Sequence, residues 1–140
     1  MQINKKDLNN KLIMDFSYHD AIILKVTKNN NDITILLKDG WIDEQINEIK
    51  FIDSEIEHQF ELEDREIYQL DDLVYFDKWF MSFLVWANNG LLEKIELSAN
   101  NIISKKYETK TNKIFENKSL IYNNLSLVEE ENLNEALLNK

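Results

Sequence analysis

Apolar and polar residues alternate along several stretches of the chain, and this alternation predicts β-strands. Every second residue is apolar in 22–26 and again in 33–37, and the asparagines at 29–31 separate the two runs. A period of two places the apolar side chains on one face of a strand. Asn tolerates the positive φ angles of tight turns, so this segment predicts a β-hairpin.

Asn and Gly residues between apolar runs predict three more turns. Asn89-Gly90 separates two such runs and is a strong hairpin signal. The stretch IELSANNIISKKY repeats the scheme around residues 100–101, and Asp39-Gly40 marks a fourth turn. Strands joined in this way predict an antiparallel protein built from hairpins.

The run WFMSFLVW, residues 79–86, is apolar on both faces of a strand. It predicts an interior strand that is covered on both sides. A buried helix has the same pattern, but the two flanking turn signals and the aromatic residues favour a strand.

The C-terminal residues predict a helix. Ser126 followed by Glu129 has the spacing of a capping box, and the glutamates at 129–131 suit the positive end of a helix dipole. Leu133 and Leu137 then form an apolar stripe on one face of this helix.

Three other segments carry weaker patterns. A short helix is predicted to include Leu8 and Leu12, and Ser54 is predicted to cap one helical turn with Ile56 and Phe60 on its inner side. Residues 105–125 are polar and predict either an edge strand or a loose connection.

These elements predict one domain that spans residues 1–140. Its fold class is α+β and mainly antiparallel β, with about six to eight hairpin-linked strands and a C-terminal helix. The strands are predicted to form either a single curved sheet or a sandwich.

Composition excludes several classes of chemistry. The chain has no Cys, two Gly and two His, namely His19 and His58. Disulfides, Cys-ligated metals, a P-loop and a dinucleotide fingerprint are therefore excluded, and we expect no cofactor. No apolar run reaches the roughly 20 residues of a membrane helix, and no secretory signal is present, so we expect a cytoplasmic protein that does not enter membranes.

The net charge of −10 is concentrated in the middle of the chain. Residues 41–80 contain thirteen Asp and Glu against three Lys and Arg. This field disfavours nucleic acid and attracts a basic protein partner. The hypothesis assigns partner binding to eight residues of the acidic run: Glu55, Glu57, Glu61, Glu63, Asp64, Glu66, Asp71 and Asp72.

Other interpretations of the acidic run remain open. It is also compatible with a solvated face that only keeps the protein soluble. Apolar residues such as Ile56 and Leu62 argue against a disordered segment. His58 lies within the run, where its neighbouring carboxylates favour a local counter-charge over a metal ligand.

A second candidate site is the sequence Tyr18-His19-Asp20 before the first strand. In a functional interpretation, His19 moves protons and a carboxylate orients it. In a structural interpretation, Asp20 binds backbone amides and His19 packs at the strand entry. Adjacent strand residues point to opposite faces, which favours the structural interpretation.

The layout SYHDAIILKV, then DITILLKDGW, then an acidic stretch, then WFMSFLVWANNGLLEKIELSANNI, resembles a set of small uncharacterised bacterial proteins. In that set a His-Asp pair precedes the first strand, and several groups are immunity proteins that neutralise toxins. The resemblance covers residues 16–104 and carries over no catalytic residue. It implies a non-enzymatic cytoplasmic protein.

The sequence thus predicts an interaction protein, and the resemblance specifies it as an immunity-type inhibitor that blocks a basic partner. The alternatives are a small-molecule-binding or enzymatic domain with a concave sheet face near Tyr18 and His19, and a housekeeping domain whose charge is only solvation.

Overall fold

The computed structural model describes Ile13 and residues 16–42, 44–56, 61–109 and 118–138. Within these ranges the chain forms nine strands, a 3-10 helix and one short α-helix. The strands are β1 (Ile22–Asn29), β2 (Asp32–Lys38), β3 (Gln45–Ile52), β4 (Glu55–Ile56), β5 (Ile67–Phe76), β6 (Lys78–Trp86), β7 (Leu92–Ala99), β8 (Asn101–Thr109) and β9 (Leu125–Asn132). The 3-10 helix is Lys118–Asn123, and the α-helix, α1, is Leu133–Leu138.

The strands form two antiparallel sheets. Sheet A has the order β1-β2-β3-β8-β9 and sheet B has the order β4-β7-β6-β5. Every strand pair is antiparallel. This confirms the predicted mainly antiparallel fold with a C-terminal helix, and of the two predicted arrangements it is the sandwich.

The main core lies between the two sheets. Sheet A contributes inward side chains such as Ile35 and Phe51, and sheet B contributes side chains such as Trp79 and Phe83. A smaller cluster covers the outer face of sheet A, where Ile121 of the 3-10 helix packs on Leu24, Leu36 and Ile46. Sheet A is therefore covered on both faces at this position.

β6 lies between β7 and β5, so the predicted interior strand is confirmed. Its inner face is buried at Trp79, Met81 and Val85. The expectation that both faces are covered is wrong, because Phe80 and Trp86 on the outer face are exposed.

Three of the four predicted turns connect hairpin partners. Asn30 has a φ of 57° between β1 and β2, and Gly90 has a φ of 81° between β6 and β7. Asp39 organises the β2–β3 turn, since its buried carboxylate accepts hydrogen bonds from the amides of Trp41 (2.7 Å) and Ile42 (2.9 Å). These three turn predictions are confirmed.

The predicted hairpin around residues 100–101 is wrong. Both flanking strands exist, but β7 pairs within sheet B and β8 pairs with β3 and β9 in sheet A. The Asn100 amide donates to the carbonyl of Ile52 at 2.9 Å, at the end of β3. The Asn pair therefore marks a corner where the chain passes from one sheet to the other.

The predicted C-terminal helix begins too early. Residues 125–132 form β9, and Glu129 and Glu130 lie opposite Lys106 and Lys105 of β8. Opposite charges on neighbouring strands stabilise this pairing in place of a helix. The helix starts at Leu133, and the Asn132 side chain, not Ser126, accepts hydrogen bonds from its first amides.

The weaker segment predictions had mixed outcomes. The single helical turn after Ser54 is wrong, because Glu55 and Ile56 form β4 and pair with β7. Residues 105–109 belong to β8, an interior strand and not an edge strand. The predicted short helix with Leu8 and Leu12 lies outside the described residues, as do Phe60 and His58.

Candidate functional site

A cavity of about 890 Å³ lies beside the β1–β2 hairpin, between that hairpin and β4. Its apolar wall consists of Val26 and Ile33 from the hairpin, Ile56 from β4, and Leu62. Ile33 and Leu62 belong to the main core, and Val26 and Ile56 pack against it. The cavity therefore opens directly onto one end of the core.

Segment 61–66 is held in place by the free edge of β1. The Asp64 amide donates to the Ile23 carbonyl at 2.6 Å, and the Ile23 amide donates to the Arg65 carbonyl at 2.9 Å. The Glu63 carboxylate accepts a hydrogen bond from the Val26 amide at 3.1 Å. These bonds fix the backbone of the segment and the position of the Glu63 carboxylate.

Four of the eight predicted partner-binding residues line this cavity. We call them the acidic mouth: Glu55, Glu61, Glu63 and Asp64. All four are exposed. Among the lining residues that the structure describes, Lys28 is the only base, so the mouth has a local excess of negative charge.

Ser54 also lines the cavity and was not among the predicted site residues. Its side chain is 7% exposed, and its Oγ has no hydrogen-bond partner within the described part of the chain. Its backbone amide is used structurally, because it donates to the Asn31 carbonyl at 2.6 Å. The sequence marked Ser54 only as a helix cap, because the cavity forms only when β4 lies beside the hairpin.

The other predicted partner-binding residues lie elsewhere. Asp71 accepts a hydrogen bond from Ser82 Oγ at 3.1 Å and lies 3.5 Å from Lys94 Nζ. Asp72 lines a smaller cavity of about 290 Å³, together with Glu55 and Lys94. Glu57 lies outside the described residues. Glu66, described below, lies beside Asp20.

The second candidate site does not bring its three residues together. Tyr18 is buried between Phe16 and Phe83, with ring centroids 5.1 and 5.7 Å apart. Burial raises the pKa of its hydroxyl well above the ordinary value. His19 and Asp20 are exposed in a turn, so the Tyr18 hydroxyl is not on their side of the chain.

His19 and Asp20 nevertheless lie close to one another. His19 Nδ1–H donates to the Tyr68 carbonyl at 2.6 Å, and His19 Nε2 lies 3.6 Å from Asp20 Oδ2. The argument from opposite strand faces was wrong because these residues occupy a turn, where Asp20 has a φ of 67°. The His19 ring also contacts the edge or face of Tyr68, with centroids 5.5 Å apart.

Glu66 adds a second carboxyl group to this pair. Partial removal from water raises its pKa, and the hydrogen bond and negative charge of Asp20 raise it further. Glu66 therefore lies beside Asp20 and an imidazole whose Nδ1 is already engaged. The contact arises because the start of β1 pairs with segment 64–67, which no local sequence signal predicts.

Within the described ranges, no three His, Asp or Glu side chains are arranged to hold a metal ion. The helices described there are also too short and too polar to cross a membrane. A comparison of the chain with protein-family models, curated proteins and solved structures found no match.

Proposed function

We propose that this protein is a non-enzymatic, cytoplasmic interaction protein that binds a basic protein partner at the acidic mouth. Opposite charge accelerates the encounter, and the apolar wall behind the mouth contributes affinity once the partner is seated. Binding blocks the partner by covering the partner surface that contacts the acidic mouth.

The observation that carries this proposal is the convergence of four exposed carboxylates around one cavity. Exposed carboxylates grouped around one cavity attract positively charged groups to it, which supports this role. Glu63 is additionally fixed by the Val26 amide, which reduces the entropy lost when a cation binds.

The test measures binding of a fluorescent peptide of alternating Lys and Ser by anisotropy, at low and at moderate salt. The test variant E55Q/E61Q/E63Q/D64N keeps side-chain size and the Glu63 oxygen that accepts from Val26. A matched control, E44Q/D77N/E108Q/E135Q, removes the same charge from four exposed carboxylates outside the cavity.

We expect the wild type and the control to bind the peptide, with affinity that falls as salt rises. The test variant should bind at least about tenfold more weakly, as expected for the loss of several charge pairs. Equal binding by the test variant and the control would show that only net charge matters, and would contradict the proposal.

An immunity-type inhibitor is the narrower form of this proposal, and the sequence resemblance supports it. Its partner would be a toxin encoded by the neighbouring coding sequence. Expression of that neighbour alone should stop growth, and co-expression of the wild type should restore growth more effectively than the acidic-mouth variant. Equal growth with and without this protein would contradict the narrower form.

A small-molecule or enzymatic function near Tyr18 and His19 has less support. Tyr18 is in the core, and neither cavity described above is lined by His19 or Asp20. The fixed tautomer of His19 is the single feature that favours such a function.

A further inference from the structure

Charge alone does not account for the cavity behind the acidic mouth. Val26, Ile33, Ile56 and Leu62 present an apolar wall that continues into the main core. At about 890 Å³ the cavity falls in the size range of sites that enclose an organic ligand, about 300–1,000 Å³, and it is far larger than an ion requires. Its occupant therefore needs apolar groups as well as positive charge.

We propose that the cavity binds a basic peptide segment of the partner that inserts an aliphatic side chain against Val26, Ile33, Ile56 and Leu62. The Lys or Arg side chains of the segment pair with the acidic mouth. This inference rests on the proposed function and adds the anchor. Charge complementarity excludes a strongly acidic segment as the occupant.

The experiment compares two peptides of equal length and charge, one of alternating Lys and Ser and one of alternating Lys and Leu. Binding is measured by anisotropy to the wild type and two variants. Val26→Phe places a larger side chain in the cavity while it keeps the amide bonded to Glu63, and Val128→Phe makes the same change at an exposed site on β9 as the control.

We expect the wild type and Val128→Phe to bind the Lys-Leu peptide about tenfold or more tightly than the Lys-Ser peptide. Burial of one aliphatic side chain provides a gain in affinity of this size. Val26→Phe should lose this preference and keep the affinity for the Lys-Ser peptide.

The two proposals fail in different ways. Equal affinity of the wild type for both peptides, or a Lys-Leu preference that survives Val26→Phe, would overturn the anchor, while salt-dependent binding of the Lys-Ser peptide would still support the acidic mouth. Self-association of the wild type that Val26→Phe abolishes would also overturn it, because the occupant would then be a second copy. Loss of binding to both peptides in the wild type would contradict the proposed function itself.

Discussion

At Gly40, the backbone of the segment before β1 leaves no room for a side chain. A Cβ atom there would lie 1.9 Å from the carbonyl oxygen of His19, and the Gly40 amide donates to the Ser17 carbonyl at 3.1 Å. Because a backbone atom cannot move aside as a side-chain tip can, we expect Gly40→Ala to lower the free energy of unfolding by about 2–4 kcal/mol. Urea denaturation followed by far-UV circular dichroism measures this change.

Gly90 is the control for the same substitution. Its φ of 81° disfavours a side chain, but a Cβ atom there meets no other atom within 4 Å. Gly90→Ala should therefore cost only about 1 kcal/mol of stability, from backbone strain alone. A loss at Gly90 as large as that at Gly40 would show that the close approach to His19 is not the cause.

Glu66 should make stability depend on pH through its contact with Asp20. The pKa of Glu66 is raised in the folded protein. Between its unfolded-state and folded-state pKa values, the folded state therefore binds more protons than the unfolded state. Stability is therefore lost with rising pH, and Glu66→Gln should gain less than about 1 kcal/mol at pH 7, because the pair is exposed and screened. The melting temperature of Glu66→Gln should exceed that of the wild type at pH 7, and this difference should vanish near pH 3. A difference that is the same at both pH values would exclude repulsion between Glu66 and Asp20 as its cause.

At the scale of elements, α1 is attached to the sandwich by buried Leu133, by Leu137 and by the side chain of Asn134. Its Oδ1 accepts a hydrogen bond from the indole Nε1 of buried Trp79 at 2.8 Å, and its Nδ2 donates to the Asn100 carbonyl at 3.0 Å. Asn134→Ala leaves the indole N–H without this acceptor, so we expect a loss of about 1–3 kcal/mol in urea denaturation.

Glu135 on the same helix is the matched control for Asn134. It is exposed, so Glu135→Ala should change stability by less than about 0.5 kcal/mol. Equal effects at the two positions would indicate that helix propensity, and not the contact with Trp79, governs the attachment of α1.

Sequence predicted strands and tight turns well because both depend on near neighbours. The β1–β2 tip and the Asn89-Gly90 turn carry their own backbone preferences. The strand β9 was predicted as a helix because its glutamates suit a helix start, and their pairing with Lys105 and Lys106 of β8 is visible only in the sheet. Asn100 was mistaken for a hairpin turn for the same reason, since local sequence does not tell a hairpin from a corner between sheets.

At the scale of the whole molecule, the candidate site was predicted only in part. The sequence identified the carboxylates, but not which of them meet. Glu55 on β4 and Glu63 converge because segment 61–66 pairs with β1, about forty residues earlier in the chain. The apolar wall and Ser54 likewise depend on this long-range packing, so the cavity was not predictable from local patterns.

High pH should unfold the molecule through its tyrosines. Burial, together with the nearby Glu48, raises the pKa of Tyr107 to about 12, and burial also raises the pKa of Tyr122 and Tyr18. Between the ordinary value of 10.0 and the raised one, the folded state holds protons that the unfolded state has lost, so stability is present below pH 10 and falls as pH rises. Ionisation in the folded state would place the negative charge of a tyrosinate against apolar surface or near a carboxylate.

Tyr107→Phe removes one of these groups and keeps the ring that packs on the outer face of sheet A. Relative to its own stability at pH 8, we expect the variant to lose less free energy of unfolding at pH 11 than the wild type does. Absorbance at 295 nm reports tyrosinate, and it should show that not all five tyrosines ionise near pH 10 while the protein remains folded. Equal losses in the variant and the wild type would place the alkaline transition in the lysines, because their loss of charge weakens pairs such as Lys94 with Asp71 in both proteins alike.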